Sequence, residues 1–396
     1  MKLTVSDMDV AGKRVLVRVD FNVPMKDGAI ANDTRIRASI PTIRYLAENG
    51  AKVIIASHRG RPKGERNAEF TLRPCAERLS ELLRMPVEFA DDCVGPVAEH
   101  AVSFMADGSI LLLENLRFYK EETDNDADFA RRLASLADVA VNDAFGVSHR
   151  AHASVEGITK YLTTGAGFLL EKEIRFVGGA VAHPDHPFVA VIGGAKVSDK
   201  IEVIANLLTK VDVLIIGGGM ANTFIAAQGY GTGISLVETD KIDLAKALIE
   251  TAARLGKALL IPTDVVVADS FSENAEYEVV PASAIPDGRM ALDIGPETAR
   301  AFAGALKNAK TIVWNGPMGV FEMEPFAKGT EAVAKAVADS DAISIVGGGD
   351  SIAALEKTGL SSFITHISTG GGASLEYLEG KVLPGINALS EKAETA

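Results

Sequence analysis

Cysteine is scarce: only Cys75 and Cys93 stand in a chain of 396 residues. So small a supply builds no disulfide framework and points to a reducing compartment. Basic charge is short as well. Lys and Arg number 40 against 53 Asp and Glu, for a formal net charge of -13. That balance argues against a general nucleic-acid binder, which carries a basic surplus, and leaves room for local basic pockets. No apolar run approaches the length of a membrane span. The opening stretch MKLTVSDMDVAGKRVLVRVDF has no apolar core of the secretory kind. The expected location is therefore the cytoplasm, with neither membrane nor nucleic acid as partner. Low-complexity segments and short-period repeats are also missing.

What is present is an alternation of short apolar runs with helical patterns. RVLVRVDF (14–21), KVIIAS (52–57), ILLLE (110–114) and DVAVND (138–143) read as buried strands. FVAVIGG (188–194), DVLIIGGG (212–219), KALLIPTDVVVA (257–268), TIVWNGP (311–317), AISIVGGG (342–349) and FITHIST (363–369) continue the theme. Helical patterns cover 72–84, 126–137, 241–256 and 296–309. Repeated βα units predict parallel sheets covered on both faces. The strands are too many for one ordinary sheet. The expected fold is α/β, with two doubly wound parallel-sheet, Rossmann-like domains. Gly, His and Pro punctuation after a helical pattern places their boundary near 170–187.

In open parallel sheets, ligands bind beyond the carboxyl ends of the strands. The first half fills those positions with basic and polar residues. Asp20 and Asn22 follow the first strand, and NDTRIRAS brings Arg35 and Arg37. HRGRPKG brings His58, Arg59, Arg61 and Lys63, LRF brings Arg117, and HRAHAS brings His149, Arg150 and His152. Arginine's planar fork binds phosphate or carboxylate through two bonds, so the set suits a small, multiply charged anion. Any one of these arginines reads equally well as a solvated surface charge. Asp20 and Asn22 suit hydroxyl recognition or a turn. The histidines lack Cys or carboxylate partners at ligand spacing, which argues against zinc.

The second half fills the same positions with glycine. GGAKVSDKI (193–201) reads as a glycine turn entering a helix that carries Lys196 and Lys200 on one face. Lysines at a helix start oppose the dipole unless an anion neutralises them. IIGGGMANTF (215–224), WNGPMGVFE (314–322), IVGGGDS (345–351) and ISTGGGASL (367–375) complete a ring of glycine turns. Asn315 and Glu322 lie in the second of these four, with Glu322 a candidate ribose acceptor. Neither the P-loop spacing nor a dinucleotide G-x-G-x-x-G fingerprint occurs, which argues against a dehydrogenase. Glycine turns feeding helices, with paired lysines, point to a nucleotide phosphate site. Asp350 then stands where a phosphate belongs. A cation between them resolves the repulsion, and Mg²⁺ characteristically takes one carboxylate plus substrate phosphates. The alternative for Asp350 is a plain helix N-cap.

RVDFNVP, SHRGRP, LLLENLRF, NDAFGVSHRAHAS, GGAKVSDKI, GGGM, WNGPMGVFE, VGGGDS and STGGGAS span essentially the whole chain. In this order they resemble the signature blocks of the phosphoglycerate kinase family in its bacterial type. Ser351 stands where many members carry Thr, which keeps the hydroxyl. The resemblance implies a monomeric glycolytic enzyme that exchanges ATP and 3-phosphoglycerate with ADP and 1,3-bisphosphoglycerate. It implies a phosphoglycerate-binding domain over 1–172, a hinge helix over 173–186, a nucleotide-binding domain over 187–379, and a tail over 380–396 folding back on the first domain. Asp20, Phe21, Asn22, Arg35, His58, Arg59, Gly60, Arg61, Arg117 and Arg150 would bind the phosphoglycerate. Gly194, Ala195, Lys196, Lys200, Gly218, Gly219, Asn315, Pro317, Gly319, Val320, Glu322, Gly348, Gly349, Asp350 and Ser351 would bind the nucleotide, with Asp350 on Mg²⁺. Arg35, Lys196, Lys200, Gly348 and Gly371, the last together with Gly372, would act on the transferred group. The nucleophile would be a carboxylate already ionised at pH 7, so no general base is expected, and hinge closure would exclude water. The rival reading is a non-catalytic nucleotide-binding scaffold on the same fold.

Overall fold

The computed structural model describes residues 1–393. The chain forms two compact units, Met1–Ile174 with the segment from Val382 onward, and Arg175–Lys381.

The first unit is built on a six-stranded sheet. From edge to edge its strands are Glu88–Ala90, Ile110–Leu113, Lys52–Ala56, Arg14–Arg18, Val139–Asn142 and Thr164–Ala166. Every pairing is parallel. The strands read as unbroken apolar runs because both faces are covered. Val15, Val17, Val53, Ile55, Ile110 and Leu112 enter one core, while Leu16, Ile54, Ala56, Leu111 and Leu113 enter the other. Strand order reverses between Arg14–Arg18 and Val139–Asn142, so the crevice for a ligand opens beyond those two strand ends. The segment after Val382 is tied into this unit. Leu3 N–H donates to the Ser390 carbonyl at 2.8 Å, and Asn142 Nδ2 donates to the Gly385 carbonyl at 3.1 Å.

The second unit repeats the plan. Its sheet runs Ala258–Leu260, Val213–Ile216, Phe188–Ile192, Thr311–Asn315, Ile343–Gly347 and His366–Ile367, again all parallel. Phe188, Ala190, Ile192, Leu214 and Ile216 fill one core; Val189, Val191, Ile215, Ile312 and Trp314 fill the other. Here the order reverses between Phe188–Ile192 and Thr311–Asn315. A separate antiparallel sheet places Asp264–Ala268 between Tyr277–Pro281 and Met290–Ile294.

Three expectations need correction. The run 257–268 is two strands, not one: Ala258–Leu260 joins the parallel sheet and Asp264–Ala268 the antiparallel one. Pro262 between them has no N–H to continue a ladder, and the next N–H, of Thr263, goes to Thr298 Oγ1 at 2.9 Å. FITHIST supplies only the two-residue strand His366–Ile367. Lys196 and Lys200 do not share a helical face, because the helix is Ile201–Leu208. Val197, fully buried, pulls the preceding segment inward, and Lys200 N–H closes a turn onto the Val197 carbonyl at 2.9 Å.

The division between units falls inside one helical run, Phe168–Glu173, Ile174–Gly178 and Gly179–Ala182, whose middle part is a wider π-helical turn. Asp143 caps the start of this run. Its Oδ1 accepts from the Leu169 and Leu170 amides at 2.9 and 3.2 Å. Burial pushes this carboxyl up to about 7 although the donors pull it down. Between the unfolded value and about 7, the native state holds a proton that the unfolded chain has released. Native stability therefore falls as pH rises through that window and levels off above it. Compared with Asp143→Asn, the native protein should lose on the order of 4 kcal/mol between pH 4 and pH 8. Denaturant unfolding of both proteins across this range checks the sign; a constant difference would contradict it.

Candidate functional site

In the first unit, the chain leaving Arg14–Arg18 is fixed by its own polar groups. Asp20 Oδ2 accepts from Arg35 at 2.6 Å, and Asp20 Oδ1 accepts from the Asn22 amide at 3.1 Å. Asn22 Oδ1 in turn accepts from the Gly60 amide at 2.9 Å. Arg35 projects from the helix Thr34–Glu48 and keeps 37% of its side chain exposed, so it remains open to a ligand. Beside this group lies a cavity of about 480 Å³ lined by Arg61, Lys63, Gly64, Arg117, Thr123, Asp124, Arg150 and His152. Its cations outnumber its single carboxylate, as an anion site requires.

The rim stands on a buried polar layer. Arg18 is 1% exposed, donates to Ser154 Oγ at 2.7 Å and to the Val19 carbonyl, and lies 4.0 Å from the fully buried Glu122. Glu122 accepts from the Ser154 amide at 2.9 Å and from its hydroxyl at 2.6 Å. Arg18 also faces His58 Nδ1 at 3.2 Å. A guanidinium only donates, so Nδ1 is the acceptor and the ring proton sits on Nε2, which lies 3.9 Å from Asp20 Oδ1. Burial, then the charges of Arg18, Arg117 and Arg35, hold His58 well below its usual range. Burial and Arg18 bring His152 down to about 3. Both rings are neutral at pH 7 and present N–H donors rather than bases. Burial also lowers Arg117 to about 10, still charged at neutral pH.

In the second unit, the glycine turns face a cavity of about 450 Å³ at the reversal of strand order. Gly194, Ala195, Gly218, Gly219, Pro317, Gly319, Val320, Glu322 and Asp350 line it, together with Asn222, Leu236, Phe271 and Met290–Leu292. One end is apolar and suits a base; Glu322 and Asp350 supply the carboxylates. The turns are glycine because backbones touch. A Cβ on Gly193 would lie 2.1 Å from the Pro317 carbonyl oxygen, and one on Gly218, at φ +70, 2.6 Å from the Gly194 amide. Gly348, at φ +90, precedes the helix Gly349–Thr358, whose first amides have no partner within the helix. Lys200 is half-buried and donates to Asn315 Oδ1. Burial lowers its pKa, opposed by Asp199, Asp350 and Glu379. Asn315 Nδ2 is buried without an acceptor, an orphaned donor beside Gly348.

The sequence pattern defining the family described as phosphoglycerate kinase matches residues 5–381. The chain belongs to the phosphoglycerate kinase family. It is 63% identical over 391 residues to the phosphoglycerate kinase of Moorella thermoacetica, covering 99% of this chain and all of that one. A cytosolic phosphoglycerate kinase of Triticum aestivum is 59% identical over 393 residues, covering 98% of each chain. Among solved structures, the phosphoglycerate kinase of Coxiella burnetii superposes with a TM-score of 0.92 at 45% identity, covering 98% of each chain.

Several family-derived site residues hold the site without facing it. The Phe21 ring is fully buried, and its amide donates to Ser57 Oγ at 2.8 Å. Arg59 is 6% exposed and spends its guanidinium on the carbonyls of Thr71, at 3.0 Å, and Glu69. Gly60 leaves room for Phe70, whose ring lies 2.3 Å from where a Cβ would stand. Ser351 is fully buried, and its Oγ accepts from the Gly316 amide at 2.6 Å. Asp350 is no N-cap. Gly348 takes that place, and Asp350 stands exposed in the first turn. Lys196 is exposed and outside the cavity lining. Arg18 and Glu122 were not expected; the signal for Arg18 was a charge inside the apolar run RVLVR.

This buried pair makes a prediction. Glu122→Leu leaves Arg18 buried without its nearest counter-charge and should cost about 3–5 kcal/mol. The double variant Arg18→Met/Glu122→Leu should recover most of that loss in denaturant unfolding. A double variant no more stable than Glu122→Leu would show that the pair does not support the rim.

Proposed function

We propose that this protein catalyses reversible phosphoryl transfer between ATP and the carboxylate of 3-phosphoglycerate, giving ADP and 1,3-bisphosphoglycerate. The single observation that carries the reading is family membership over the full chain, with a cationic rim on one unit and a glycine-lined cavity on the other. In this reading the first unit is the phosphoglycerate-binding domain, the second the nucleotide-binding domain, and 173–186 the hinge. The protein acts in glycolysis and gluconeogenesis as a cytoplasmic monomer. The cytosolic wheat relative and the two buried, unpaired cysteines support the cytoplasmic assignment.

Arg35, Arg61, Arg117 and Arg150 neutralise the phosphate and carboxylate of phosphoglycerate. Asp20, Asn22 and the Nε2–H of His58 read its polar groups, while Phe21, Arg59 and Gly60 hold that surface in shape. Gly194, Ala195, Gly218, Gly219, Pro317, Gly319 and Val320 surround the adenosine, and Glu322 accepts from the ribose. Lys196, Lys200, Asn315 Nδ2 and the amides of Gly348–Ser351 meet the phosphates, with Gly371 and Gly372 on the transferred group. No group of three or more His, Cys, Asp or Glu forms a metal cage among the described residues. That fits Mg²⁺, which needs Asp350 alone from the protein when phosphates and water fill its other positions. When bound, it neutralises the nucleotide phosphates.

The chemistry asks for positioning and charge neutralisation. The attacking carboxylate is already ionised, so no base is needed, and neutral His58 and His152 agree with that. The test is ADP release from MgATP and 3-phosphoglycerate with hydroxylamine present to trap an acyl phosphate. Release should require all of the substrates, and Arg35→Ala or Lys200→Ala should lower kcat by about 10²-fold or more. Folded protein that binds both ligands and does not turn over would favour the scaffold reading.

A further inference from the structure

Asp293 lies in the strand Met290–Ile294 and is 4% exposed. No cation pairs with it among the described residues, and the one charged group acting on it is Glu331, of like sign. An isolated buried carboxyl is costly, so its contacts matter. Oδ2 accepts from the Gly329 amide at 2.7 Å, in the first turn of the helix Lys328–Ala338. Oδ1 accepts from the Ile294 amide at 2.8 Å. The same Oδ1 would lie 2.3 Å from a Cβ on Gly319 and 2.3 Å from one on Gly329. One carboxyl therefore requires glycine at two separate places.

One of those places, Gly319, lines the nucleotide cavity, and Gly329 stands behind it at the helix start. Met290, Ala291 and Leu292, just before Asp293, line it, and so do Gly319 and Val320. The Val320 amide donates to the Leu292 carbonyl at 2.9 Å, and the Met318 amide to Thr330 Oγ1 at 3.0 Å. Strand, loop 317–322 and helix start thus meet at Asp293. We infer that Asp293 is a positioning residue for the nucleotide: its carboxyl fixes the distance between the strand wall and loop 317–322, and so sets nucleotide affinity without touching the ligand. This rests on the reading that the nucleotide occupies this cavity. Burial pushes the carboxyl up to about 7, opposed by the Gly329 and Ile294 amides and reinforced by Glu331. The anion accepts both amides. Protonation weakens that hold, so nucleotide affinity falls as pH drops through about 7.

The test uses the full-length protein, with ADP binding by titration and steady-state kinetics from pH 6 to pH 8. Asp293→Asn should weaken ADP and raise KM for ATP about tenfold, with a larger change in KM than in kcat and little change in KM for 3-phosphoglycerate. It should also flatten the pH dependence of ADP affinity relative to the native protein. Gly319→Ala, which drives a methyl against the carboxyl, should give the same selective loss and serves if Asp293→Asn does not fold. Ala195→Trp fills the cavity and should abolish ADP binding. If Ala195→Trp abolishes binding while Asp293→Asn and Gly319→Ala leave it unchanged, the positioning role is overturned and the cavity assignment stands. If Ala195→Trp still binds ADP normally, the cavity assignment fails and the inference with it. Equal losses toward both substrates would also overturn it, since they would mark general destabilisation.

Discussion

A parallel sheet buried on both faces leaves polar groups nowhere to go except the ends of its strands. Both units obey this constraint, and the rest follows from it. Alternate residues of Arg14–Arg18 and its neighbours are consumed by two cores, as are those of Phe188–Ile192. Recognition is therefore confined to what comes after each strand. The reversal of strand order opens a crevice there, and the cationic rim and the glycine-lined cavity both lie beyond such a reversal.

The two rims meet the constraint by opposite means. The first concentrates charge, and charge must be supported from below. Arg18 and Glu122 are buried together, Ser154 bonds both, and the histidines are held neutral by burial and then by the surrounding arginines. Neutral donors among arginines suit a reaction whose nucleophile needs no deprotonation. The second rim removes side chains instead. Gly193, Gly218 and Gly316 stack backbone on backbone, their amides bonded to the Asn315 and Met318 carbonyls and to Ser351 Oγ, which leaves the cavity free of side chains there. Lysine and carboxylate enter only at its edge, where Lys200 and Asp350 act on each other.

Much of this was legible in the sequence. The periodicity of buried strands, the basic strand ends of one half and the glycine strand ends of the other gave the fold class and the two kinds of site. What was not legible depended on direction. Arg59 and Arg61 are near neighbours of the same type, yet Arg59 turns inward to the Thr71 and Glu69 carbonyls while Arg61 lines the cavity. The Ser351 hydroxyl oxygen accepts from the Gly316 amide, a partner 35 residues away that no local pattern announces. The spacing of Lys196 and Lys200 suggested a helix face, and burial of Val197 decided otherwise. Asp293 carried only the signal of a charge inside the apolar run MALDI; the groups that it packs against, Gly319 and Gly329, are distant in sequence.

The central claim is that the two rims hold two different ligands independently. It is tested most directly by titrating 3-phosphoglycerate and ADP separately into the native protein, Arg150→Ala and Glu322→Ala. Arg150→Ala should weaken 3-phosphoglycerate by about tenfold or more and leave ADP binding as it was; Glu322→Ala should do the reverse. Both substitutions weakening the same ligand, or either weakening both equally, would contradict the account.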